Sequence, residues 1–156
     1  MAADAYTQGL AWLARRELSE AQIRTRLAKR GVDDAAIDEA IDRLKQERAL
    51  DDRRVAAAFA RSAVNLKGRG RARIRRDIEA LGIDRDLARA AVDEVFGEID
   101  EAALLDKALT RRWPRVGAPD QRALHRIYRA LLQQGFPADK VLAALRARRV
   151  TAPGDD

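Results

Sequence analysis

Apolar residues recur at helical spacing along nearly the whole chain, and the arrangement repeats. Three glycines, Gly31, Gly82 and Gly135, lie 51 and then 53 residues apart, and each is followed by a large apolar residue, Val32, Ile83 or Phe136. Eight and four residues before each glycine stand Ile23 and Leu27, Ile74 and Ile78, and Ile127 and Leu131. Six and ten residues after it stand Ile37 and Ile41, Ala88 and Val92, and Val141 and Leu145. Such i, i+4 pairs mark the inward stripe of a helix. Glycine at the break has a physical reason: a helix ends cheaply on a left-handed residue only when that residue lacks a Cβ, and the apolar residue after it packs back on the last turn. Asp33, Asp84 and Pro137 follow, all suited to opening the next helix. Each repeat is therefore expected to contain a helix, a tight glycine turn and a second helix.

A further helix is expected before each pair. The first, over 4–17, carries Tyr6, Leu10 and Leu13; Leu18 and Ser19 through Gln22 then read as a staple residue and a capping box. The second starts at Asp51 and Asp52 and carries Val55 and Phe59; the third carries Leu105, Leu109 and Trp113 and is stopped by Pro114. The expected fold is all-α, three tandem three-helix repeats forming an elongated, curved helical array. The expected units are 4–48, 51–97 and 99–148, with a flexible tail at 149–156.

Certain stretches resemble a known family. They are Leu13-Ala14-Arg15-Arg16-Glu17-Leu18-Ser19, the spacing Ile23, Leu27, Gly31, the run Leu50-Asp51-Asp52-Arg53-Arg54-Val55-Ala56, Phe59-Ala60-Arg61-Ser62, and Gly70-Arg71-Ala72-Arg73-Ile74. Together with Gln133-Gln134-Gly135-Phe136 they resemble the RecX family over roughly residues 5–147. The run from Leu50 to Arg53 is the most specific piece. Val55 stands where that family often has an aromatic residue, and Gly68-Arg69-Gly70 replaces a commoner Gly-Pro turn. The resemblance implies three tandem three-helix repeats and binding to RecA filaments on single-stranded DNA. It also implies inhibition of recombinase and ATPase activity without catalysis, and a role in recombination and repair.

Composition narrows the chemistry. The formal charge is +6, and Lys occurs only at positions 29, 45, 67, 107 and 140, so the positive charge is mostly Arg. That balance favours an anionic partner, either nucleic acid or an acidic protein surface. Cysteine is absent, which removes disulfides, thiolate zinc sites and thiol nucleophiles. No signal-like segment opens the chain and no run of ~18 apolar residues occurs, so a soluble cytoplasmic monomer is expected. The lone His125 is read as structural or surface, and Asp51 with Asp52 as a helix cap rather than a carboxylate pair. Gly68-Arg69-Gly70 lacks the Lys-Ser/Thr ending of a phosphate loop. Trp12 and Trp113 sit at apolar helical positions. No catalytic, cofactor or metal constellation emerges, and the expectation is a protein that is not an enzyme.

Basic residues cluster. Seven lie in 61–76 without an acid, and seven in 107–129 against Asp120 alone, whereas 33–52 holds eight acids and three bases. At ~100° per residue, Arg69, Arg73 and Arg76 form one stripe if the helix carrying Ile74 extends back over the preceding turn. The same offsets from Ile127 give Arg122, Arg126 and Arg129. These six are the candidate contacts to a recombinase filament, with direct DNA contact as an accessory. Two rivals stay open: a DNA-binding module of helix-turn-helix kind, disfavoured by acids such as Asp38 and Asp93 after the glycine turns, and a generic helical scaffold for another protein.

Overall fold

The computed structural model describes residues 4–151; residues 152–156 of the expected tail lie outside it. Among the described residues there are nine helices and no strand: α1 (Ala5–Leu13), α2 (Glu20–Lys29), α3 (Asp34–Gln46), α4 (Asp52–Lys67), α5 (Arg71–Ala80), α6 (Arg85–Phe96), α7 (Glu101–Arg112), α8 (Gln121–Gln134) and α9 (Ala138–Thr151). Helix α9 continues through Thr151, so the stretch before 152 is helical.

The extensively packed helix pairs all fall within one trio: α1–α3, α4–α6 or α7–α9, called here units one, two and three. Each trio has its own core. Leu18, Ile23, Leu27, Ile37, Ile41, Leu44 and Leu50 fill the first. Ile74, Ile78, Ala88 and Val92 lie in the second, and Leu105, Leu109, Ile127, Leu131, Val141 and Leu145 in the third. All twelve residues of the i, i+4 pairs flanking the glycines are buried, and Val32 after Gly31 is half-buried, because each of these helices has an apolar stripe that it buries against its neighbours.

The glycine turns are left-handed, with φ of 81° at Gly31 and Gly82 and 111° at Gly135. In unit one the Val32 N–H donates to Leu27 O at 3.2 Å and the Gly31 N–H to Ala28 O at 3.0 Å. Unit three repeats the pair, Phe136 to Leu131 O and Gly135 to Leu132 O. Carbonyls left open at the helix end thereby find donors. The capping box at Ser19 is complete: its hydroxyl accepts from Gln22 N–H, and the Gln22 side chain accepts from Ser19 N–H.

The first helix departs from its expected course. It ends at Leu13, and Leu10 is 39% exposed while Gly9 is buried. A Cβ at Gly9 would lie 2.8 Å from Leu44 Cδ1, so α1 meets α3 at a close contact where a side chain would push the Leu44 methyl aside. The inward set is Tyr6, Gly9 and Leu13, so Gly9 takes the place expected of Leu10, which a search for large apolar residues does not find. The Tyr6 hydroxyl donates to Glu47, fastening the start of α1 to the end of α3.

The units join through a repeated polar seam. Ser19 and Gly70 each stand twelve residues before their own unit's glycine, at the N-cap of the middle helix. Ser19 Oγ donates to Leu81 O at 2.5 Å, and the Gly70 N–H donates to Gln134 O at 2.8 Å. Both acceptors directly precede the glycine of the next unit. The start of one unit's middle helix therefore docks on the glycine turn of the next. Helix α5 has no side-chain cap, and its donors are met by unit three instead, with Ala72 N–H on Gly135 O at 3.3 Å. Gln134 Nε2 returns a bond to Gly68 O at 2.9 Å, and Arg71 joins Glu101 at 2.5 Å.

Candidate interaction surface

The two arginine sets meet different fates. Helix α5 starts at Arg71, so Arg69 lies in the loop before it and the expected helical stripe Arg69, Arg73, Arg76 does not form. The cause is the seam: with Gly70 as N-cap against Gln134 O, the chain turns at that residue. Arg69 Nη1 reaches Asp77 Oδ2 at 2.6 Å, and Arg73 Nε reaches both Asp77 oxygens at 3.1 and 3.2 Å. Arg73 also donates to Gln133 O at 3.0 Å across the seam. Both guanidinium groups are engaged within the protein, Arg69 inside unit two and Arg73 across the seam to unit three. Arg76 alone of this set is exposed, folded back on Ala72 O at 3.4 Å.

On α8 the geometry is different. Arg122, Arg126 and Arg129 are exposed on one face of a regular helix capped by Asp120, and none of them joins an ion pair among the described residues. Helix α9 adds Arg146 and Arg149 beside Arg122 and Arg126. Arg149 falls in the expected tail and Arg146 near the end of the expected third unit, and neither belongs to an expected stripe. Their i, i+3 spacing is a usable signal only once α9 is known to lie along α8.

Aromatic residues are partly covered. Trp12 lies under the guanidinium groups of Arg26 and Arg30, 5.5 and 5.3 Å from its ring centre, and Trp113 under Arg148 at 5.4 Å. Both rings also border their unit's core. His125 is exposed, its ring 6.4 Å from that of Tyr128.

The acids after the glycine turns pair with arginines at the surface. Asp38 binds Arg24 at 2.6 Å and Asp93 binds Arg71 at 2.8 Å. Asp51 caps α4, accepting from Arg53 and Arg54 N–H, whereas Asp52 crosses to unit one and accepts from Glu20 N–H at 2.8 Å. Partial burial is the main cause holding the Asp52 carboxyl above its ordinary range, against the lowering effect of the Glu20 N–H bond. The sign follows by linkage: a raised folded-state value means that ionisation costs stability as pH rises through that value. Asp52→Asn, which keeps the acceptor oxygen, is expected to gain on the wild type as pH goes from about 4 to 7. Urea unfolding of both proteins at the two pH values measures this, and an unchanged difference rejects it.

No helix among the described residues is long and apolar enough to cross a membrane. The geometry thus defines a class: a tandem array of three-helix units, polar at its seams, with an open arginine-rich face on the last unit. Comparison places it. Residues 5–44 match the family model for the first three-helix domain of RecX, and residues 51–92 the model for the second. The regulatory protein RecX of Halorhodospira halophila is 34% identical over 137 residues, spanning 86% of this chain and 82% of that protein. That of Syntrophotalea carbinolica is 32% identical over 138 residues, 85% of this chain and 88% of the relative. The chain covers only 52% of its longer relative from Geobacillus kaustophilus, to which it is 32% identical. The crystal structure of RecX from Lactobacillus salivarius superposes with a TM-score of 0.81 over 94% of this chain and 95% of that one, at 18% identity, and so shares the fold. The chain belongs to the RecX family.

Proposed function

We propose that this chain regulates homologous recombination by binding the filament that a RecA-type recombinase forms on single-stranded DNA, and that it slows ATP turnover, strand exchange or filament extension. Three units, 4–48, 51–97 and 99–148, lie along the filament, hindering subunit rearrangement and blocking a second duplex. The protein acts as a cytoplasmic monomer without catalysis of its own.

Family membership supports the regulatory role, and the observation that carries the contact is the α8 face, where Arg122, Arg126 and Arg129 stand exposed without a carboxylate partner. Guanidinium groups in that state form charge-assisted bonds to carboxylates at no cost in broken internal pairs. Reading α3 or α6 as a helix for the major groove fits less well, since Asp38 and Asp93 would face phosphates. DNA contact is therefore accessory, salt-sensitive and indifferent to sequence.

The test is ATP hydrolysis by a RecA-type recombinase on single-stranded DNA with the whole chain added. Turnover is expected to fall as the chain is titrated in. Unchanged turnover at saturating chain, with the fold verified by circular dichroism, rejects the reading.

A further inference from the structure

In unit three, α8 and α9 leave an open groove of about 860 Å³. Its floor is apolar: Leu124 and Leu145 at its base, Tyr128 beside them, and Leu142, which is 40% exposed. Its rim holds Arg122, Arg126, Arg146 and Arg149, and among the described residues no carboxylate lines it. Leu142 thus stands among four like charges, outside the core cluster of its own unit, and joins Tyr128 and the rims of Leu124 and Leu145 in one apolar strip.

Its place in the array is informative. In units one and two the start of the middle helix is covered by the next unit, through Ser19 on Leu81 O and Gly70 on Gln134 O. Unit three is the last trio described, and the start of α8 is built differently. Its N-cap, Asp120, stands fifteen residues before Gly135 rather than twelve, giving α8 an extra turn, and its side chain takes the Ala123 N–H. Ala123 occupies the position of Ser19 and Gly70, but it lacks the hydroxyl that Ser19 uses, and the N–H that Gly70 uses is already taken by Asp120. A further unit of this kind, including unit one of a second copy, has no seam to repeat.

We propose that the groove takes an acidic amphipathic segment of a partner protein, one helix laying apolar side chains between Leu142 and Tyr128 with carboxylates flanking them. This deepens the regulator reading and rests on it in treating unit three as partner-facing. Apolar anchors at i, i+3 and i+4 suit a two-helix groove, and carboxylates give paired bonds to the four guanidinium groups. Single-stranded nucleic acid is the weaker fit: Leu124, Leu142 and Leu145 line the groove against two rings, Tyr128 and the exposed His125, and successive bases need a run of open aromatic faces.

The test titrates the whole chain into a fluorescein-labelled sixteen-residue peptide of Leu and Glu patterned as an amphipathic helix, followed by anisotropy. Parallel arms use the same residues reordered to abolish the apolar face, and a labelled oligothymidine. The patterned peptide is expected to bind, and binding is expected to weaken at least about tenfold in Leu142→Glu and in Arg122→Glu/Arg146→Glu. These positions are at the surface, and unfolding curves verify that both variants keep the fold. Equal binding of the reordered peptide overturns the proposal, as does oligothymidine that displaces the peptide and binds more tightly. Self-association in sedimentation equilibrium that Leu142→Glu abolishes overturns it in favour of a second copy. The two readings separate cleanly: peptide binding without any effect on recombinase ATPase leaves the groove and removes the regulator, and ATPase suppression without peptide binding does the reverse.

Discussion

Gly135→Ala is expected to part unit three from unit two, while Gly31→Ala, at a turn of the same kind, is expected to cost only local strain. Both residues have positive φ, 111° and 81°. Nothing lies within 4 Å of a Cβ built on Gly31, so the variant pays the left-handed conformation alone, about 1 kcal/mol. At Gly135 the added carbon would meet Arg73 N and Gly70 O, both at 2.7 Å, and Arg73 Cβ at 2.6 Å. Two of those atoms are backbone, so no side-chain rotation relieves the contact. Moving apart breaks the seam, including Gly70 N–H on Gln134 O and Ala72 N–H on Gly135 O. Strain plus two lost seam bonds totals about 3 kcal/mol or more. Hydrogen exchange reads the difference: the Gly70 and Ala72 amides are expected to lose protection in Gly135→Ala and keep it in Gly31→Ala. Equal loss of stability in the two variants, with those amides still protected, would mean that the seam does not hold the units.

This contrast shows what the chain discloses by pattern and what it does not. Helix pairs around Gly31, Gly82 and Gly135 are legible because burial of i, i+4 residues is a local consequence of one helix packing on the next. The capping box at Ser19 is legible for the same reason. Ser19 Oγ on Leu81 O, Asp52 on Glu20 N–H and Gly70 on Gln134 O are not. They join residues of different repeats, and periodicity carries no information about how one repeat leans on another. That is why Arg69 and Arg73 were assigned to a solvent-facing stripe. The offset from Ile74 was sound for a helix beginning earlier, but a seam bond at Gly70 ends the helix there and turns both side chains to Asp77. Gly9 illustrates a second blind spot, since a close helix crossing selects the absence of a side chain. On α8 no such contact intervenes, and the spacing Arg122, Arg126, Arg129 survives as an exposed face.

The largest effect on activity is accordingly expected on α8. Arg122→Glu/Arg126→Glu/Arg129→Glu subtracts two charges at each position, taking the formal net charge from +6 to zero. Losing three charge-assisted contacts at about 1 kcal/mol each is equivalent to about a hundredfold rise in the chain concentration that half-inhibits recombinase ATPase. The matched control is Arg15→Glu/Arg61→Glu/Arg89→Glu, which makes the same charge change at exposed positions spread over units one and two. It alters only long-range attraction, so a rise of about tenfold or less is expected, shrinking as salt is added. Arg69→Gln/Arg73→Gln completes the set. Those guanidinium groups hold Asp77 and the Gln133 carbonyl, so that variant is expected to show faster exchange at Gly70 and Ala72 rather than a selective loss of inhibition. If the spread-out control proves as damaging as the α8 variant, inhibition depends on total charge, and no particular face of unit three meets the filament.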